Sequence, residues 1–124
     1  MNDDDKRQLA SDADGLRTYE YIANHIDDAD LDIDFLANNM IAVDTTGQFV
    51  VSAARYLHAI NPQRFGEVIS RLIASAIDKD REHRYIGDLL QSIWGDDYAE
   101  RVDELNTTDD NFRRIHKRLF PKGM

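Results

Sequence analysis

Apolar residues recur along this chain at spacings of three and four, the period of an α-helix with one face turned toward a core. The clearest run is Phe65, Val68, Ile69, Leu72, Ile73, Ala76 and Ile77, which predicts a helix from Pro62 to about Lys79. A second run, Ile86, Leu89, Leu90, Ile93 and Trp94, predicts a helix that stops at Gly95, a natural C-terminal cap. Upstream, Leu16, Tyr19, Ala23 and Ile26 mark a helix over 11–26, with Ser11 as its cap and Asp12 and Asp14 at its positive end, although Gly15 weakens it. Ile33, Leu36, Ala37 and Met40 mark another over 31–43. Phe49, Ala53, Leu57 and Ile60 mark one that follows Thr45-Thr46-Gly47-Gln48, where Thr45 and Gln48 stand at capping-box spacing.

Asn61-Pro62 closes that helix and opens the next, because proline lacks an N–H and disfavours helical geometry at the residue before it. A short helix carries Tyr98, Val102 and Leu105. The last carries Phe112, Ile115 and Leu119, with Thr107 and Asp110 as its capping pair and Pro121 as its stop. Short connections between such segments predict an all-α protein, a compact bundle of six to seven short amphipathic helices. Residues 1–10 read as a flexible acidic N-terminus and 11–124 as a single helical domain. The helices after Gln48 and after Pro62 resemble each other at an offset of 16, through Phe49/Phe65 and Arg55/Arg71, but two copies do not make a repeat array. Acid–base pairs four apart (Glu67–Arg71, Asp80–Arg84, Asp97–Arg101, Asp109–Arg113, Asp110–Arg114) support the helices by about 0.2–0.5 kcal/mol each.

Charge changes the picture more than composition does. The net charge of −9 is unevenly spread: residues 1–44 hold 12 acids and 3 bases, residues 45–111 hold 12 acids and 7 bases, and residues 112–124 hold five bases and no acid. The overall field opposes nucleic acid, whose binding rests on neutralising phosphates. The chain has no cysteine, which removes disulfides, thiolate metal sites and cysteine nucleophiles and suits a reducing, cytoplasmic location. The acidic N-terminus has no apolar core of a secretory leader, and no apolar run approaches the length of a membrane span.

Five aspartates, Asp27, Asp28, Asp30, Asp32 and Asp34, crowd eight positions and alternate with Leu31, Ile33 and Phe35. An EF-hand loop would need a glycine at its sixth position and a closing glutamate at its twelfth. Starting at Asp28 those positions hold Ile33 and Asn39, and starting at Asp30 they hold Phe35 and Ile41. The stretch therefore reads as the acidic entrance to the 31–43 helix, with Asp30 as cap and Asp32 and Asp34 in the positive first turn. The four histidines, His25, His58, His83 and His116, show no metal-ligand spacing, so no metal is expected. No nucleophile elbow, phosphate loop or dinucleotide fingerprint is present, and no catalytic residue or cofactor is assigned. Trp94 and Tyr98 flank an acidic turn and could anchor a partner, but Trp94 extends an apolar stripe and reads as core.

The charge map points to a small acidic interaction module (adaptor, inhibitor or immunity-type) that presents an acidic helical surface to a protein partner, a basic one by complementarity. The candidate contact residues are Asp27, Asp28, Asp30, Asp32 and Asp34, together with Arg113, Arg114, Lys117 and Arg118. The basic C-terminal helix is expected to pair with the acid-rich N-terminal third. Alternatives are a small helical enzyme without a recognisable motif, or weak nucleic-acid binding through that basic helix. A helix-turn-helix at Asn61-Pro62 is disfavoured, since the following helix opens with only Arg64 and Arg71 to meet phosphates. The periodic apolar surface of the 62–79 and 86–94 helices could also support a homodimer.

Overall fold

The computed structural model describes residues 1–121. Among them every regular element is helical: α1 (Asp3–Ala10), α2 (Leu16–Asn24), α3 (Ile33–Val43), α4 (Gln48–Ile60), α5 (Gly66–Lys79), α6 (Gly87–Trp94), a 3-10 turn (Tyr98–Arg101), α7 (Val102–Thr108) and α8 (Asp110–Leu119). The all-helical class is as expected, but there are eight α-helices rather than six or seven. The extra one is α1, in the segment expected as a flexible acidic lead. Asn2 and Asp5 form a reciprocal capping box, three aspartates occupy the positive first turn, and Leu9 is buried.

The helices pack as pairs stacked in chain order. α2 lies against α3, α4 against α5, and α8 against α6 and α7. Along one row α2 packs on α4 and α4 on α6; along the other α3 packs on α5 and α5 on α8. α4 and α5 are the middle pair and supply the densest part of the core. All seven stripe residues of the 62–79 prediction are buried, together with Val50, Val51, Ala53, Ala54 and Leu57 of α4. The apolar faces of α5 and α6 that the sequence offered to a homodimer thus turn inward. α5 begins at Gly66, four residues after Pro62, because Asn61 caps a turn instead: its Oδ1 accepts from the Arg64 N–H at 3.0 Å.

The entry to each first-row helix is built alike, around one buried aspartate. Asp12 accepts from the N–H groups of Asp14, Gly15 and Thr18, and from the Thr18 hydroxyl, the last two at 2.8 Å. Asp44 accepts from the N–H groups of Thr46, Gly47, Phe49 and Val50 at 2.9–3.0 Å. Asp80 accepts from those of Arg84, Tyr85 and Ile86 at 2.7–2.9 Å. A helix start leaves its first N–H groups without intrahelical partners, and here one carboxylate collects several of them. The loop must reverse three residues after the aspartate, and that position has positive φ each time: Gly15 at 111°, Gly47 at 93° and His83 at 56°. Each of the first two loops also packs on the next: a Cβ on Gly15 would come within 3.0 Å of Phe49 Cβ at the start of α4, and one on Gly47 within 3.1 Å of Asp80 Cβ.

The repeated unit is therefore a helix pair with a period of 32 and then 36 residues, set by Asp12, Asp44 and Asp80. It is not the 16-residue offset between successive helices. Three local expectations change with it. Asp12, not Ser11, serves α2, and Ser11 caps the end of α1. Asp44, not Thr45, serves α4; Thr45 is exposed. Asp109, not Thr107, caps α8, accepting from the Phe112 N–H at 3.1 Å and from Trp94 Nε1 at 2.8 Å.

Candidate interaction surface

The helices run between two edges. One edge holds the three aspartate loops; the other holds the reversals inside each pair, including the turn from α2 to α3. The five clustered aspartates lie at that second reversal and divide into three fates. Asp32, rather than Asp30, caps α3, accepting from the Phe35 N–H at 3.1 Å. Asp34 in the first turn reaches across to α5, where its Oδ1 accepts from Arg71 Nη2 at 2.7 Å; Arg71 also donates to Asn38. Asp27, Asp28 and Asp30 remain exposed.

Asp28 and Asp30 stand beside a small aromatic feature. The Tyr21 and His25 rings stack with centroids 4.1 Å apart, and His25 Nδ1 lies 2.8 Å from Asp28 Oδ2. The Tyr21 hydroxyl is held above the usual tyrosine pKa by burial and then by the fields of Asp5, Asp28 and Asp30. α1 thus adds Asp5 to the acidic patch at this end of the stack. Lys6 of α1 lies over the Phe35 ring, 5.1 Å from its centroid.

The basic helix sits at the other end. α8 packs on α5, α6 and α7, not on the acid-rich third. Arg114 Nη2 donates to Asp78 of α5 at 2.9 Å, and Arg113 pairs with Asp110 of its own helix. The Asp110 carboxyl is held below its usual pKa, first by the hydrogen bond from Arg113, against the opposing effect of desolvation, and with the charges of Arg113 and Arg114 adding to the lowering. Arg118 donates to the Arg114 carbonyl, and Lys117 is exposed. Lys122, the fifth base of the expected tail, lies outside the described residues. Among the described residues no ion pair joins this helix to residues 1–44, so the expected pairing of the two ends is not formed. Each end carries its own charge outward.

Two of the five acid–base pairs expected at helical spacing form, Arg71 with Glu67 at 3.7 Å and Arg101 with Asp97 at 3.5 Å. Asp80 and Asp109 are engaged instead by backbone N–H groups, and in place of Asp110–Arg114 the structure pairs Asp110 with Arg113 and Arg114 with Asp78. His116 is buried, stacked on Phe112 and tilted against Phe120. Trp94 is half-buried and meets Phe112 edge-on at 5.3 Å, so its ring packs against the core. No three histidine or acidic side chains are placed to share a metal among the described residues, and no helix there is long and apolar enough to cross a membrane.

Sequence reasoning put Asp12 only at a helix start and Asp80 only in a surface pair, and missed that these two and Asp44 build the loops. Their signal was Asp-x-x-Gly at 12–15 and again at 44–47, with a helix-facing residue three further on at Thr18 and Val50. No family model, no curated protein and no solved structure matches the chain.

Proposed function

We propose that this chain is a small interaction module whose acidic N-terminal end, formed by the α2–α3 turn and α1, receives a basic protein partner. The reading rests on one observation: Asp27, Asp28 and Asp30 are exposed at the α2–α3 turn, with Asp28 and Asp30 beside the stacked Tyr21 and His25, while the cations of α8 lie at the far end of the stack. Concentrated unpaired charge accelerates association with a complementary partner and selects against like-charged ones. An aromatic pair within it supplies contact area at small entropic cost. The action would be adaptor-like or neutralising. A cytoplasmic setting belongs to the same proposal, supported by the absence of cysteine.

Affinity capture from native lysate tests it, using the whole chain beside an Asp27→Asn, Asp28→Asn, Asp30→Asn triple variant. A basic partner should be retained at about 50 mM salt, lost at about 500 mM, and lost by the variant at both. Capture that is indifferent to salt and to the variant would overturn the reading.

A further inference from the structure

Five arginines hold no carboxylate among the described residues (Arg17, Arg55, Arg64, Arg81 and Arg118), and of these Arg55 alone ties its guanidinium to another helix. Arg7, Arg71, Arg84, Arg101, Arg113 and Arg114 each hold a carboxylate. Arg55, on the exposed face of α4, forms no ion pair among the described residues, on a chain whose net charge is −9. Its Nε donates to Ser92 Oγ of α6 at 2.8 Å, and that hydroxyl in turn donates to the Asp88 carbonyl at 2.6 Å. The guanidinium is thereby fixed by one edge. Its two terminal nitrogens, the pair that fits a carboxylate in a two-point contact, make no hydrogen bond within the described residues.

Arg55 and Ser92 are shared by two adjoining hollows of about 460 and 500 Å³. The first is lined by Tyr19, Ser52, Tyr56 and His58, with Tyr19 and Tyr56 meeting edge-on at 6.1 Å. The second is lined by Asp88, Gln91, Asp96 and Tyr98. Together they form a trough over α2, α4 and α6, one helix from each stacked pair. Along it the surface offers tyrosine rings, then a held guanidinium, then two carboxylates.

We propose that this trough is a docking site for an extended segment of another protein that places a glutamate or aspartate on Arg55 and an apolar side chain on the Tyr19–Tyr56 pair. A basic residue following the acid would meet Asp88 and Asp96. The charge order of the trough selects the occupant: a uniformly acidic or phosphate-rich ligand meets those two carboxylates, and a uniformly basic one meets Arg55. The site rests on the reading of the chain as an interaction module, but it lies on a different face from the acidic turn.

The test uses the whole chain and fluorescein-labelled hexapeptides built around a central Leu-Glu pair, beside a matched set with Leu-Gln, read by fluorescence anisotropy. Members of the Glu set should bind about tenfold or more tightly than their Gln counterparts. Arg55→Gln should abolish that difference. Arg55→Lys should recover only part of it, since an ammonium cannot make the two-point contact. Arg55 is exposed, so the thermal midpoint of both variants should match the parent. Absence of binding by the Glu set, equal binding of both sets, full binding by Arg55→Lys, or equal competition by a labelled oligonucleotide would each overturn the proposal. Salt should weaken this contact far less than the capture at the acidic turn. Asp27→Asn, Asp28→Asn, Asp30→Asn should leave it intact, so failure here is distinguishable from failure of the acidic-end reading.

Discussion

The two edges of the stack use the same side chain in opposite ways. On the loop edge Asp12, Asp44 and Asp80 are each under a tenth exposed and accept several backbone N–H groups. On the other edge Asp27, Asp28 and Asp30 are exposed and accept nothing from the backbone. A buried carboxylate persists only where charged hydrogen bonds replace its water, and an exposed one costs the fold little beyond mutual repulsion. Density of acid along the chain is therefore a poor guide to what each acid does. The crowded five attract the eye, while Asp12, Asp44 and Asp80 position the helices.

The largest effect expected from this difference is at Asp44. Asp44→Ala would strand four N–H groups at the start of α4, two of them belonging to the buried Gly47 and Val50. Urea denaturation should show a loss of about 3 kcal/mol or more, from the usual cost of unpaired buried donors. Asp27→Ala, on the opposite edge, should move stability by less than about 0.5 kcal/mol, as surface substitutions do. Equal losses at the two sites would erase the distinction.

Next is Gly15. Its φ of 111° is rarely adopted by other residues, and an added Cβ would stand 2.9 Å from Met40 Sδ and 3.0 Å from Phe49 Cβ. Gly15→Ala should cost about 2 kcal/mol through strain and a displaced contact between the first loop and helices α3 and α4. An alanine variant with the parent's urea midpoint would mean the loop does not pack against those helices as described.

Acid provides a third, smaller contrast. Burial alone would raise the Asp12 pKa, but the hydrogen bonds from Thr18, Gly15 and Asp14 outweigh it and hold the carboxyl below its ordinary 3.8. A carboxyl with a depressed folded pKa contributes stability that is present above the unfolded value. It is lost as pH falls through the folded one. Thr18 also accepts from Asn39, whose amide donates to the Leu9 carbonyl, so protonating Asp12 loosens α1, α2 and α3 together. Asp12→Asn should be less stable than the parent at pH 7, and the gap should narrow toward pH 3. A gap that is independent of pH would refute the account.

How much of this was legible in the sequence depended on how local the determining contact is. The α5 stripe was read residue by residue because its period runs unbroken from Phe65 to Ile77 and every member is buried. The α2 stripe was read one position off over most of its length. Ile26 is buried as expected, but Leu16 is 45% exposed, and Thr18 and Ile22 are fully buried instead. There the rotation of the helix is set by Thr18 reaching back to Asp12, six residues away, which periodicity does not register. α1 was missed because it buries a single leucine, although its Asn2/Asp5 capping box stood in plain view. The acidic turn and its exposure followed from composition and punctuation. The separation of that turn from α8 did not, because charge complementarity says which groups attract and nothing about whether a stack of helix pairs lets them meet. The Arg55 trough was invisible for a related reason: Arg55 and Ser92 are 37 residues apart and become neighbours only when α6 stacks on α4.

The finest comparison is among the loops themselves. His83 stands where the first two loops have glycine, with a φ of 56° and an exposed side chain. Left-handed geometry costs a non-glycine residue about 1–2 kcal/mol, and histidine is among the residues that tolerate it better than most. Glycine removes that strain but brings back about 0.5–1 kcal/mol of unfolded-chain entropy. The two nearly cancel, and the exposed ring contributes no packing to lose. His83→Gly should therefore be neutral or stabilising by up to about 0.5 kcal/mol, read as a small upward shift of the urea midpoint with an unchanged slope. Gly47→His, the reverse exchange in the preceding loop, should be strongly destabilising, since its Cβ would press on Asp80 Cβ at 3.1 Å. That asymmetry follows from position within the stack: Gly47 is covered by the next loop, whereas His83 is exposed. A His83→Gly variant that loses 1 kcal/mol or more would show that the third loop is held by something other than the aspartate-centred turn it shares with the first two.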